Sequence, residues 1–162
     1  MIDKLREFLK DNNLDCLLVN TTDEFLVEYN ELCNCARYCV TGFSGSTGDV
    51  LVTKERVYQF ADGRYHEQAD AEVDHETTDV VKLQLGQTFL SELAAKIAPE
   101  SVVGVVSNKI SLNFYKALKF ALNKKHCKIK PLDFDPVGLF KELKPSDNGQ
   151  TVKQIALSIA GV

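Results

Sequence analysis

The stretch Thr41-Gly42-Phe43-Ser44-Gly45-Ser46-Thr47-Gly48 holds the densest set of residues with chemical uses. Glycines interleaved with hydroxyl side chains make a tight loop whose backbone N–H groups can cradle an anion. Spacing argues against two specific chemistries. A nucleotide-binding P-loop carries a Lys and runs from a strand into a helix; this loop has no Lys and runs into the apolar stretch Val50–Thr53. A nucleophile elbow needs G-x-S-x-G, and Gly42-Phe43-Ser44-Gly45-Ser46 spaces its glycines differently. On residues alone, the loop reads as a conformationally demanding turn.

Other candidate groups are sparse. Cys33, Cys35 and Cys39, with Cys127 distant, invite a zinc reading, but C-x-C-x3-C lacks the paired C-x2-C knuckles of structural zinc sites. Cysteine is also a common small buried hydrophobe. His66, His75 and His126 belong to no H-E-x-x-H pattern. Asp70, Asp74 and Asp79 read as solvated residues around a helix end. No catalytic residue and no metal-ligand set emerges.

The elements that position these groups follow from periodicity. Ile2, Leu5, Phe8 and Leu9 recur at helical spacing until Asn12-Asn13. Leu14-Asp15-Cys16-Leu17-Leu18-Val19-Asn20 reads as a buried strand, and Thr21-Thr22-Asp23 as a polar exit able to cap a turn. Residues 24–38 show no clear period. Val50–Thr53 and residues 57–60, joined by Lys54-Glu55-Arg56, form a hairpin signal. A helix is expected over 64–73, a strand over 79–83, and a helix over 88–98 capped by Thr88. Val102–Val106 is a further strand. Ser111 caps a helix whose predicted apolar face is Leu112, Tyr115, Leu118 and Leu122. A strand over 126–132 and a short helix over 137–143 complete one domain, residues 1–144. The turn-rich 145–162 reads as a linker towards a following domain, since the apolar 154–161 has no partner element. Alternating strands and helices predict an α/β fold whose hairpin makes the sheet mixed.

Composition narrows the partners. Scattered Lys and Arg, 19 against 23 Asp and Glu, leave a net charge of −4 and no basic face for nucleic acid. The densest basic stretch (Lys124, Lys125, His126, Lys128, Lys130) reads as the solvated face of an edge strand. Apolar runs fall far short of the ~18 residues of a membrane span. Residues 1–12 read as an amphipathic helix rather than a signal peptide. Five cysteines, an odd number, suit a reducing compartment. These features predict a soluble cytoplasmic protein with neither nucleic acid nor membrane as partner.

Three segments together resemble the amino-terminal domain of the creatinase/prolidase/aminopeptidase P group. Leu14-Asp15-Cys16-Leu17-Leu18-Val19 is similar to the family's opening G-L-D-A-L-L-V. Thr41 to Gly48 is similar to S-G-F-T-G-S-A-G, with Arg37 where the family carries the second of two arginines. Ala61-Asp62-Gly63-Arg64-Tyr65-His66-Glu67-Gln68-Ala69 is similar to T-D-G-R-Y-F-L-Q-A. Asp23 with Glu28-Tyr29 resembles the D-x-H-x-S-E-Y segment of Xaa-Pro aminopeptidases, although Phe25 and Val27 replace its His and Ser. Ala36 replaces the first arginine.

The resemblance implies a mixed sheet flanked by helices, of ribonuclease H-like type. It implies a following pita-bread domain that binds two divalent metal ions, usually manganese, through two Asp, one His and two Glu. Those ions generate the hydroxide that attacks peptides with proline in second position. Nothing in residues 1–162 matches that set, so the fragment alone is expected to be inactive. The amino-terminal domain is implied to support homodimer assembly and to wall the active-site entrance, with Phe43, Ser44, Ser46, Asp62, Arg64 and Tyr65 placed there. Within that group Tyr65 is expected to pack beneath the loop. Asp62 and Arg64 are expected either to face substrate or only to brace the fold. Two alternatives remain: a catalytically dead, peptidase-like protein-interaction module, and an independent nucleotide-binding domain.

Overall fold

The computed structural model describes residues 1–27, 29 and 31–141. Glu28, the end of the expected short helix and the expected linker 145–162 lie outside the described residues.

Apolar periodicity of 3.6 makes the first helix, α1 (Ile2–Asp11), and turns Leu5, Phe8 and Leu9 inward. Strand β1 (Cys16–Val19) follows, buried at every position. Its alternation explains that burial. Leu17 and Val19 meet the core under α1, and Cys16 and Leu18 meet the core on the opposite face. A strand covered on both faces reads as a continuous apolar run, as this one does.

Helix α2 (Ala36–Thr41) leads to the hairpin β2 (Val50–Thr53) and β3 (Val57–Ala61). The hairpin turn is closed by the Thr53 hydroxyl, which accepts from the Arg56 N–H at 3.0 Å. Then come α3 (His66–Glu72), β4 (Thr78–Lys82), α4 (Phe89–Lys96), β5 (Val102–Val106), α5 (Leu112–Asn123), β6 (Lys128–Leu132) and α6 (Pro136–Phe140). The sheet order is β4-β3-β2-β1-β5-β6. Only β2 runs antiparallel to its neighbours; β1 with β5, β5 with β6 and β3 with β4 are parallel. The predicted mixed α/β sheet is therefore present.

Two apolar cores sandwich the sheet. One lies beneath α1, α2 and α6; the other lies beneath α4 and α5. A smaller cluster of Phe43, Ala61, Ala69 and Val73 sits under α3. The Thr88 and Ser111 hydroxyls cap α4 and α5 as expected, accepting from the N–H groups of Ser91 and Phe114. Asp23 caps its turn by accepting from the N–H groups of Phe25 and Val27, both at 2.9 Å.

Four expectations need correction. Helix α2 formed where no period was visible: it is six residues long and held by burial of Ala36, Arg37, Val40 and Thr41, which outweighs its weak propensity. On α5, Leu112 is 66% exposed, while Phe114, Leu118 and Leu122, spaced by four, face the core. Asp79 and Asp70 are not merely solvated, since they pair with Arg56 and Lys82. In the basic stretch, Lys128 and Lys130 are exposed on edge strand β6, but the Lys125 ammonium is part-buried and donates to the Ala94 and Ile97 carbonyls that end α4.

The two leucines of α5 give a direct check. Leu118→Ala should cost about 2–5 kcal/mol in urea denaturation. Leu112→Ala should stay within about 0.5 kcal/mol. Equal losses would contradict the assigned face.

Candidate functional site

Residues 42–49 connect α2 to β2 and are gripped by neighbours on several elements. Gln59 on β3, fully buried, ties the two ends of the loop together. Its Oε1 accepts from the Thr41 hydroxyl at 2.9 Å, and its Nε2 donates to the carbonyls of Phe60 at 2.9 Å and Gly48 at 3.3 Å. At the exit of β1, the Thr21 hydroxyl accepts from the Gly48 N–H at 3.0 Å. The Thr21 N–H in turn donates to Asp49 at 2.6 Å.

Arg37 enters from α2 and is only 2% exposed. Its Nη2 donates to the Gly45 carbonyl and its Nη1 reaches the Thr21 hydroxyl at 3.4 Å. The guanidinium lies 5.2 Å from the centre of the Phe43 ring, within cation–π range. Two glycines follow from this crowding. A Cβ at Gly45 would enter the Phe43 ring. Gly48 has φ +134°, and a Cβ there would strike the Phe60 carbonyl.

The anion-cradling expectation is met by the protein's own carboxylate. Glu72, ending α3, accepts from the Ser44 N–H at 2.7 Å, the Ser44 hydroxyl at 2.8 Å and the Gln68 amide at 2.9 Å. Desolvation pushes this carboxyl up, but those bonds and the Arg37 charge outweigh it and hold the group below the ordinary Glu value.

The predicted residues fall into two parts. Phe43 is fully buried, so it floors the loop rather than facing an entrance. Tyr65 packs beneath the loop as expected: its ring meets Phe43 edge-on at 5.8 Å, and its hydroxyl lies 2.6 Å from the Ser46 hydroxyl. That bond lowers the Tyr65 pKa. Ser44 and Ser46 are half-buried above this floor. Asp62 and Arg64 stand outside, paired at 2.7 Å, with Arg64 5.3 Å from the Tyr65 ring. The side-chain bond from Arg64 keeps Asp62 below the usual carboxylate range.

Sequence reasoning missed Gln59, Thr21, Asp49, Gln68 and Glu72. Gln59 had a usable signal, because it interrupts the inward positions Val57 and Ala61 of an otherwise apolar strand. Arg37 had drawn notice only through the family resemblance. Among the described residues no group of three or more His, Cys, Asp or Glu is placed to hold a metal ion. These residues therefore do not fit the two-metal centre that the resemblance implies. Cys16, deep under α4 and α5, has its thiol pushed up to about 12 by burial.

The described residues form a six-stranded α/β domain whose distinctive loop is gripped by neighbouring elements. The chain belongs to the creatinase/prolidase N-terminal domain family, whose model matches residues 1–137. It is 31% identical over 146 residues to Xaa-Pro aminopeptidase 1 of Dictyostelium discoideum, covering 90% of this chain and 23% of that protein. It is 27% identical over 161 residues to a probable Xaa-Pro aminopeptidase P of Laccaria bicolor, covering 98% and 25%. The chain thus spans about a quarter of the length of these curated relatives.

Solved structures share the fold. The X-prolyl aminopeptidase of Caenorhabditis elegans, a cytosolic enzyme with a di-nuclear active site, superposes with a TM-score of 0.78 at 20% identity, over 90% of this chain and 26% of that one. The N-terminal domain of the cytoplasmic peptidase PepQ from Mycobacterium tuberculosis gives 0.60 at 23% identity, over 85% and 95%. No helix among the described residues is long and apolar enough to cross a membrane.

Two arginines separate bracing from display. Arg37→Met should destabilise the domain by about 1.5–3 kcal/mol, the scale of lost bonds to a charged group. Arg64→Ala, at an exposed pair, should cost less than about 0.5 kcal/mol in the same urea titration. A large loss for Arg64→Ala would make the Asp62–Arg64 pair a brace.

Proposed function

We propose that the chain is the amino-terminal, non-catalytic domain of a Xaa-Pro aminopeptidase, a metal-dependent hydrolase that removes the residue preceding a proline in second position. One observation carries the reading: the chain aligns over nearly its whole length with about a quarter of each of two Xaa-Pro aminopeptidases. The absence of a metal cluster among the described residues is compatible with chemistry held in the remaining three quarters. There, two divalent ions, manganese by family resemblance, would generate the attacking hydroxide.

In this reading the domain folds, docks and shapes access. The loop from Phe43 to Gly48 supplies a rigid wall, because the Ser44 and Gly48 N–H groups and the Gly45 carbonyl are held by its own neighbours. Ser44 and Ser46 form the wall's partly exposed surface, and Asp62, Arg64 and Tyr65 form its shoulder. Homodimer assembly and a cytoplasmic setting belong to the same proposal.

Turnover of Xaa-Pro peptides separates the outcomes. The longer protein should cleave them, lose that activity to a chelator and regain it with Mn2+, while the 162-residue chain should cleave none. Chelator-sensitive turnover by the 162-residue chain would overturn the assignment. A folded longer protein without turnover would favour the interaction module instead.

A further inference from the structure

Beyond the loop, a cleft of about 530 Å3 opens past the carboxyl ends of β1, β3, β4 and β5. Open α/β sheets hold ligands at this end. Part of its lining is apolar. The Phe60 and Phe89 rings meet edge to face at 5.0 Å, Phe89 stacks with Phe114 at 6.4 Å, and Leu83 and Ile110 adjoin them.

The charged lining is unevenly balanced. Asp62 is paired with Arg64, and Lys109 with Asp135 at 2.7 Å. Asp49 meets no cation within ion-pair distance among the described residues. It accepts from the Thr21 N–H at 2.6 Å and the Asn20 amide at 3.3 Å, and it retains partial solvent exposure. Burial nonetheless pushes its carboxyl above the ordinary Asp value, despite those bonds and the charge of Arg37, and a cation beside it would oppose that shift by favouring the ionised form.

Register places this carboxylate beside the rings. Val50 pairs with Gln59, and the Phe60 N–H donates to the Asp49 carbonyl at 3.0 Å, so Asp49 and Phe60 are cross-strand neighbours. Strand alternation puts Asp49 and Leu51 on the face of Phe60. Side chains so paired start about 5 Å apart.

We propose that this cleft binds a small organic ammonium bearing an apolar or aromatic group, with its cation on Asp49 and its apolar part on Phe60, Phe89 and Phe114. Charge complementarity selects the ammonium, since Asp49 is the one lining charge not already opposed in a contact pair among the described residues. The adjoining rings select the apolar group and add attraction for a cation. The proposal rests on this chain's own geometry and stands whether or not the longer protein is a peptidase.

The probes are 2-phenylethylamine and 2-phenylethanol, which share the ring and differ in charge, titrated into the 162-residue chain and followed by amide NMR at neutral pH. The amine should shift Thr21, Asp49 and Phe60 saturably and bind about tenfold more tightly than the alcohol. Asp49→Asn should remove that preference, while Phe89→Ala should weaken both probes alike and supplies the comparison if Asp49→Asn does not fold. Absence of saturable shifts at these amides, or equal affinities in the unaltered protein, would overturn the proposal.

Discussion

A guanidinium buried to 2% exposure would be costly to desolvate without nearby acceptors, and Arg37 finds them in the loop and at the exit of β1. The Gly45 carbonyl, the Thr21 hydroxyl and the Phe43 ring surround it. The Gly45 carbonyl and the Phe43 ring can approach only because the backbone between Gly42 and Gly48 folds back on itself. Gly45 belongs to this pocket, since a side chain there would enter the Phe43 ring, and Gly48 keeps the loop's exit clear of the Phe60 carbonyl. Charge, aromatic floor and glycine spacing form one constraint. Motifs far apart in sequence converge upon it.

The same constraint occupies several of the loop's polar groups. A glycine-rich loop commonly turns spare N–H groups outward to an anion. Here the Ser44 N–H is taken by Glu72 and the Gly48 N–H by Thr21. Gln59 joins the two ends from below, which leaves a stiff element with a modestly polar rim. Such an element fits the proposed role of a wall, in a chain that spans about a quarter of its curated relatives.

Legibility in the sequence followed the range of the forces involved. Strands and long helices were readable because their burial is periodic or, in β1, continuous: β1, the hairpin and the caps Thr88 and Ser111 formed as the pattern required. The six-residue α2 was not, because tertiary burial rather than propensity holds it. Leu112 misled for a related reason. It lies at the first position after the cap, where apolar character does not fix direction, whereas Phe114, Leu118 and Leu122 define the buried stripe. In the site, local motifs disclosed Phe43, Ser46 and Tyr65, and the Tyr65 contact followed as expected. Gln59, Thr21 and Glu72 stayed hidden because each reaches the loop from a different element, and one sequence does not display such pairings.

Amide hydrogen exchange on the loop tests the central claim most directly. If the loop is locked by Arg37, Thr21, Gln59 and Glu72, the N–H groups of Ser44 and Gly48 should exchange far more slowly than an unstructured peptide, although neither lies in a helix or strand. Arg37→Met should speed both while leaving the β1 and β5 amides protected. Exchange of Ser44 and Gly48 at peptide rates in the unaltered protein would contradict the account.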